Sequence, residues 1–168
     1  MRISHSFFLA VFFSLFILTL GCDSDEPALP KSPLDPQILI AHNQYRALVG
    51  VAGLEWSADL AAKALALVDG SACDLTFNTE GLGQNVSRPP DSFTAEEIVD
   101  MWANSIQFYD YDSDSCTALI GNCDSYTQIV WANSTFLGCA KASCFSIGRA
   151  VWVCLYDPPG NIPGERPY

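Results

Sequence analysis

The sequence predicts a mixed α+β domain that is stapled by disulfide bonds. Three stretches with helical patterning come first, and two strand-like runs follow near the end of the chain, Phe136–Ser143 and Ala150–Tyr156. Six of the seven cysteines lie after residue 70, on or around these elements. An even set of cysteines in an exported chain is typical of a disulfide framework.

The composition indicates one folded, acidic domain with an N-terminal appendage. The chain has 168 residues, of which 49% are hydrophobic, so it can bury a substantial core and is not a disordered protein. Acidic residues outnumber basic ones 19 to 8. This balance argues against nucleic acid and against electrostatic docking on anionic lipid. We interpret the acidity as a source of solubility.

Residues 1–22 are predicted to be an export signal. Arg2 supplies the positive charge, and the apolar run Phe7–Leu20, about 14 residues, suits a signal peptide better than a spanning helix. The sequence Leu18-Thr19-Leu20-Gly21-Cys22 then resembles a bacterial lipobox, whose cysteine is lipidated, although Thr19 stands where an aliphatic residue is usual. The alternative is ordinary cleavage near Gly21, which leaves Cys22 as a free thiol.

The cysteine count supports lipidation, because seven is an odd number for an exported chain. Without Cys22 the remaining six predict three disulfides: Cys73, Cys116, Cys123, Cys139, Cys144 and Cys154. Residues 23–34 are polar and proline-rich and predict a flexible tether to a domain at 35–168. We therefore predict a membrane-anchored lipoprotein of the cell envelope, with a secreted, extracellular protein as the alternative.

Capping signals predict three helices. The first begins at Asp35-Pro36 and runs to about Leu48. The second is Ala58–Asp69, and the third opens on the capping box Thr94–Glu97. An apolar stripe on the second helix comprises Leu60, Ala61, Ala64, Leu65 and Val68, and one side of the third carries Ile98, Met101, Trp102 and Ser105. Residues 73–92 have no regular pattern and are predicted to be irregular.

The C-terminal runs predict a hairpin. A turn centred on Ser146–Gly148 places Cys139 opposite Cys154, within bridging reach for neighbouring strands. The spacing of Cys116 and Cys123 is compatible with a short disulfide loop. Residues 157–161 are too proline-rich to continue a sheet.

Several short motifs occur in a fixed order along the domain. They are His42-Asn43-x-x-Arg46, Leu54-x-Trp56, Gly83-x-Asn85, Tyr126-Thr127-Gln128-Ile129-Val130-Trp131, Leu137-Gly138-Cys139-Ala140 and Tyr156-x-Pro158-x-Gly160-Asn161. From about Asp35 to Tyr168 the chain therefore closely resembles the CAP superfamily (cysteine-rich secretory proteins, antigen 5 and pathogenesis-related protein 1), nearest its plant-type members. The resemblance implies a three-layer α-β-α sandwich with a small antiparallel sheet. It also implies three disulfides: Cys73–Cys144, Cys116–Cys123 and Cys139–Cys154.

The resemblance also locates a site. Many members of the family hold two histidines and two glutamates around a cleft, a set able to bind zinc or a similar ion. At the corresponding positions, called here the four family positions, this chain has Phe77, Gln84, Ser105 and Ser125. The domain contains a single histidine, His42, so one chain cannot build a two-histidine metal site. We therefore predict a degenerate site, with no metal, no cofactor and no catalytic residue.

Other residues offer little chemistry. Gln84 cannot ionise and so cannot act as a general base, and Ser105 and Ser125 have no evident base to activate them. The position of His42 in its helical motif predicts a structural hydrogen bond. The acidic run Asp110–Asp114 lacks the glycine and glutamate that a calcium loop needs at its sixth and twelfth positions, so we interpret it as a solvated loop.

The main functional hypothesis is binding of a lipid, a sterol or another apolar ligand. Some family members bind such ligands through apolar grooves between helices and an aromatic loop after the third helix. Phe108, Tyr109 and Tyr111 occupy that loop here, and Phe77 would make the family cleft more apolar. The alternative for these aromatics is that they fill the core.

Two further hypotheses belong to other classes. The first is a surface-displayed module that contacts the envelope or a protein partner and takes no small ligand; it uses no nucleic acid and reaches a membrane only through the lipid anchor. The second is a hydrolase, for which the sequence offers no nucleophile that we can name.

Overall fold

A computed structural model of the protein describes residues 35–70, 73–75, 79, 81–117 and 123–168. The predicted export signal, the tether, Cys22 and Phe77 lie outside the described residues. The elements are α1 (Asp35–Leu48), β1 (Glu55–Trp56), α2 (Ala58–Gly70), β2 (Gly83–Ser87), α3 (Ala95–Ala103), a 3-10 turn (Asn104–Phe108), β3 (Tyr109–Asp110), β4 (Ser115–Cys116), α4 (Asp124–Ile129), β5 (Phe136–Cys144) and β6 (Arg149–Asp157). Within these ranges no helix has the length and apolar character that crossing a bilayer requires.

The central sheet has four strands in the order β1-β5-β6-β2. Strands β5 and β6 form the predicted antiparallel hairpin, and Cys139 lies opposite Cys154 as the turn position predicts. Strand β2 pairs antiparallel with β6, and the two-residue β1 pairs parallel with β5. A separate two-stranded ladder joins β3 to β4. The predicted α+β class with a small, mainly antiparallel sheet is therefore confirmed.

Alternate residues of β6 enter two different cores, which is what places helices on both faces of the sheet. Val151, Val153 and Leu155 pack in a cluster with residues of α2. Trp152, with its neighbours at every second position, packs in the larger cluster with residues of α1, α3 and α4. The result is the three-layer α-β-α sandwich that the resemblance implies.

The capping signals locate the helices well. The Thr94 hydroxyl accepts from the Glu97 amide at 3.2 Å, and the Glu97 carboxylate accepts from the Thr94 amide at 2.8 Å. The Ser57 hydroxyl accepts from the Leu60 amide at 3.2 Å at the start of α2. Helix α1 has the predicted bounds. These local signals work because they satisfy backbone groups that each helix end leaves free.

Some details of the helix and loop predictions are wrong. Leu65 and Met101 are 47% and 40% exposed, because the buried stripes pass through Leu60, Ala64 and Val68 in α2 and through Ile98, Val99 and Trp102 in α3. Ser105 lies beyond α3, in the 3-10 turn. The segment 73–92 is not irregular throughout, since residues 83–87 form β2 against β6. Helix α4 and strand β1 were also not predicted.

Three disulfides hold these elements together, in the pairs that the resemblance implies. Cys73–Cys144 ties the segment after α2 to the end of β5, with its Cα atoms 6.0 Å apart. Cys116–Cys123 closes the loop before α4. Cys139–Cys154 joins the two strands of the hairpin, with its Cα atoms 4.1 Å apart.

Candidate functional site

Ser105 and Ser125 lie at the junction of α3 and α4, whereas Gln84 lies on β2 opposite Leu155, whose side chain is in the cluster with α2. The Ser105 hydroxyl donates to the Trp102 carbonyl at 2.8 Å and accepts from the Tyr126 amide at 2.9 Å, so it links the end of α3 to α4. The Asn85 side chain donates to the Ser125 carbonyl at 2.9 Å, which ties β2 to α4. Gln84 is exposed on β2. None of the three described residues carries an ionisable side chain.

His42 has a structural role, which confirms the prediction. It is fully buried, and its two ring nitrogens lie 2.7 Å from the Ile38 carbonyl and 2.8 Å from the Tyr156 hydroxyl. The carbonyl can only accept, so Nδ1 carries the proton and Nε2 accepts from Tyr156. Burial, with a smaller effect from the Arg46 charge, lowers the pKa of His42 to about 4. The imidazole is therefore neutral at neutral pH and fully engaged.

Tyr156 extends this network across the sheet. Its hydroxyl also accepts from the Asn85 side chain at 3.1 Å, so α1, β6, β2 and α4 are joined by consecutive hydrogen bonds. Burial raises the pKa of Tyr156 well above its usual 10. A network in which every member has a partner rigidifies the core, and it leaves no free general acid or base.

Arg46 is the most deeply buried charge described, and the sequence did not reveal its role. Its guanidinium donates to four backbone carbonyls, at distances of 2.7–3.0 Å: Ala52, Ile129, Trp131 and Ser134. Burial lowers its pKa to about 10, so it stays protonated at neutral pH. In the helical motif His42-Asn43-x-x-Arg46, the arginine therefore fixes α1 to the end of α4 and to the segment that follows it.

The aromatic loop, residues 108–116, packs against the C-terminal residues. The Tyr109 hydroxyl donates to Asp114 at 2.9 Å, and its ring lies 6.1 Å from that of Tyr126. Tyr111 is 46% exposed and stacks on Tyr168 with ring centroids 5.1 Å apart. Phe108 is half-buried. A small cavity of about 180 Å³ beside the loop is lined in part by Tyr109.

A larger cleft opens elsewhere, and we call it the helix cleft. It lies between α1, the start of α3 and the β5–β6 hairpin, and its volume is about 480 Å³. None of the predicted loop aromatics lines it. Ile40, Ala41, Phe93, Ala95 and Trp152 supply its apolar wall, and the other lining residues are polar: Gln37, Gln44, Thr94, Glu96 and Lys141.

Lys141 lines the helix cleft beside Trp152 and is held by Asp91. The Lys141 ammonium lies 5.1 Å from the centre of the Trp152 ring and 3.2 Å from the Asp91 carboxylate, and it donates to the Asp91 carbonyl at 2.7 Å. The pKa of Asp91 is lowered, mainly by the hydrogen bond from the Ser143 hydroxyl and to a smaller extent by Lys141. The sequence did contain a signal for this pair, because the predicted register of Cys139 and Cys154 also sets Lys141 opposite Trp152.

Comparison with known proteins agrees with this architecture. A family profile described as "CAP: Cysteine-rich secretory protein family" matches residues 39–156. Pathogenesis-related protein 1B of Nicotiana tabacum is 43% identical over 133 residues, which cover 77% of this chain and 78% of the relative. Pathogenesis-related protein 1 of Arabidopsis thaliana is 37% identical over 130 residues, or 76% of this chain and 78% of the relative.

Solved structures show the same fold. Venom allergen-like protein 4 of Schistosoma mansoni superposes with a TM-score of 0.68 at 26% identity, over 82% of this chain and 94% of that protein. A structure of NaASP2 with Zn²⁺ has a TM-score of 0.61 at 19% identity, over 82% of this chain and 86% of that one, and shows the fold alone.

The fold and the buried network define a disulfide-stapled α-β-α domain in which His42 and Arg46 hold α1 to the rest of the core. The chain belongs to the CAP family of cysteine-rich secretory proteins, and within it to the pathogenesis-related protein 1 type.

Proposed function

We propose that this protein is an exported, non-catalytic CAP-domain protein that binds an apolar or amphipathic ligand, such as a lipid or a sterol, in the helix cleft. The observation that carries the proposal is the cleft itself. Its volume of about 480 Å³ falls in the range of small-molecule sites, and a lining that combines apolar side chains with polar groups suits an amphipathic ligand.

The residues around the family positions support a non-catalytic role. A zinc site needs imidazole, thiolate or carboxylate ligands, but Gln84, Ser105 and Ser125 provide none. Both nitrogens of His42 are already engaged. Among the described residues one group of possible ligands lies close together, Cys116, Cys123 and Asp124, and its two cysteines form a disulfide. The residues present do not fit the metal, so we infer that the family site is degenerate.

Export is supported by the three disulfides, because such bonds persist in oxidising compartments. For the route we propose the lipoprotein signal at residues 1–22 with Cys22 as the lipidated residue. Secretion after cleavage near Gly21 is the alternative.

Changing Cys22→Ser tests the anchor. If Cys22 is lipidated, the variant is expected to leave the membrane fraction or to accumulate as an unprocessed precursor, because no thiol is available for acylation. Membrane partition and intact mass are the measurements. A variant that is cleaved normally and still partitions with membranes would contradict lipidation and favour the secreted alternative.

Ligand binding is tested by placing a charge in the helix cleft. Ile40 lines the cleft and is 57% exposed, so Ile40→Asp is expected to weaken capture of a labelled lipid by roughly tenfold or more without unfolding α1. Leu48→Asp is the matched control, since Leu48 is on the same helix, is 80% exposed and lies outside the cleft. Its binding is expected to equal that of the wild type.

The same pull-down separates the two candidate ligand surfaces. A Phe108→Ala, Tyr111→Ala double variant is expected to keep its lipid, because neither residue lines the helix cleft. Loss of lipid in the double variant, with Ile40→Asp unchanged, would move the site to the aromatic loop. No lipid captured by the wild type would favour the surface-displayed interaction module instead.

A further inference from the structure

Four tyrosine rings meet where the aromatic loop packs against residues 162–168, and we call them the tyrosine cluster: Tyr109, Tyr111, Tyr126 and Tyr168. Tyr111 and Tyr168 stack with their ring centroids 5.1 Å apart. The Tyr109 ring lies 6.1–6.4 Å from each of the other three. The Tyr126 and Tyr168 hydroxyls are 3.0 Å apart. The proposed function uses none of these phenols.

The stacked pair joins two segments that are far apart in sequence, and one of its rings is open to solvent. Tyr111 is 46% exposed, and Tyr168 is half-buried. The Arg166 guanidinium lies 5.1 Å from the centre of the Tyr111 ring and donates to the Tyr111 carbonyl at 2.6 Å. An oxidant in solution can therefore reach Tyr111, while these noncovalent contacts hold its stacked partner beside it.

Tyr109 has a proton acceptor within the cluster. Its hydroxyl donates to the Asp114 carboxylate at 2.9 Å. A phenol that loses an electron becomes a strong acid, so a carboxylate within hydrogen-bond reach assists its oxidation by taking the proton. Tyr45 makes the same kind of bond to Asp100, at 2.8 Å, but its ring is not a member of the cluster. The tyrosine cluster therefore combines a phenol that is easily oxidised with two neighbouring rings that can couple.

We propose that Tyr111 and Tyr168 form a modification site, at which a haem peroxidase and hydrogen peroxide produce a dityrosine bond. Each phenol loses one electron and one proton, and the two phenoxyl radicals join through the ring carbons next to their oxygens. The hydrogens on those carbons then pass to the oxygens and restore two phenols. Two tyrosines and one hydrogen peroxide thus give one dityrosine and two waters.

Tyr109 carries the oxidation to the less exposed ring. Its radical takes an electron from Tyr168, whose ring is 6.4 Å away, and recovers its proton from Asp114. Tyr168 releases its own proton to solvent. Coupling within one molecule is favoured over coupling between molecules, because the two rings are already held together. The product ties the aromatic loop to residues 162–168 by a covalent bond.

Treating the whole exported protein, at low concentration, with a haem peroxidase and hydrogen peroxide tests the site. The expected product is a monomer that has dityrosine fluorescence and a mass lower by two hydrogen atoms. After proteolysis, mass spectrometry should find the peptide that contains Tyr111 joined to the one that contains Tyr168. Dityrosine found in dimers alone, or a link between other residues, would overturn the proposal.

Tyr111→Phe keeps the stacked ring but removes the phenol. The yield of cross-linked monomer is expected to fall more than tenfold, because coupling then has to occur between molecules. Tyr45→Phe is the matched control, since it removes a phenol that is also bonded to a carboxylate, and its yield should equal that of the wild type. An unchanged yield in Tyr111→Phe would exclude Tyr111 as the partner.

Asp114→Asn tests the proton acceptor through the rate of cross-linking. The amide still accepts the Tyr109 hydrogen bond but cannot take its proton, so the rate should fall about tenfold. Asparagine tolerates the left-handed backbone of this position, where φ is 49°. Asp112→Asn makes the same charge change in the same loop and should keep the wild-type rate. Equal rates in the two variants would contradict the role of Tyr109 and Asp114.

Discussion

Replacing Arg46 with methionine is expected to lower the free energy of unfolding by about 4 kcal/mol or to prevent folding. Methionine approximates the length of the side chain but donates no hydrogen bond. Four backbone carbonyls would lose their donor, at Ala52, Ile129, Trp131 and Ser134. An unmade hydrogen bond costs more when the remaining partner is buried, and three of these four contacts are fully buried. Urea denaturation with the disulfides intact is the measurement.

Arg149→Met provides the control for Arg46. Arg149 is exposed and donates to one carbonyl, that of Arg88, at 3.0 Å. Its replacement is expected to cost less than about 1 kcal/mol. A similar small cost for Arg46→Met would show that the guanidinium is not what fixes α1 to the segment after α4.

Acidification below pH 6.5 is expected to destabilise the protein through His42. The pKa of His42 falls from its usual 6.5 to about 4 in the folded state, so the unfolded chain binds a proton that the folded chain does not. The contribution of His42 to the free energy of unfolding is therefore fully present above pH 6.5. It falls by about 3 kcal/mol between pH 6.5 and pH 4, and the loss levels off at lower pH. Carboxylates also titrate in this range, so the wild type alone does not isolate the effect.

The variant His42→Gln isolates the contribution of the imidazole. It is expected to be less stable than the wild type at pH 7, because it loses well-placed bonds to Ile38 and Tyr156. The stability difference between the two proteins should shrink as the pH falls from 6.5 to 4. A difference that stays constant over this range would contradict the lowered pKa.

Local signals predicted the parts of the fold that depend on local chemistry. The Thr94–Glu97 capping box and the facing cysteines of the hairpin can each be recognised from a short stretch of sequence. Both occur as predicted. Strand β2 was missed because Gly83–Ser87 has little strand propensity and is held by pairing with β6, a distant part of the chain. Tertiary pairing determined that element.

The site was harder to predict than the fold. Burial of Arg46 opposes the usual preference of a charged residue for water, so composition could not reveal it. The helix cleft is formed by α1, α3 and the hairpin, which are far apart in sequence, and no motif in one of them indicates it. The pairing of Lys141 with Trp152 could have been predicted from the sequence, because it follows from the predicted register of Cys139 and Cys154. The predicted ligand loop is separate from this cleft, since Phe108, Tyr109 and Tyr111 do not line it.

The central claim is that an apolar ligand occupies the helix cleft, and an NMR titration of the tryptophan indole N–H resonances tests it most directly. On addition of the lipid, the Trp152 resonance is expected to shift, because Trp152 lines the cleft and a ligand bound there changes the surroundings of its ring. The Trp102 resonance should move little, since its N–H is already bonded to Ser87 at 2.8 Å. An unmoved Trp152 resonance, with perturbations confined to the rings of Tyr109, Tyr111 and Tyr168, would contradict the account and place the ligand at the aromatic loop.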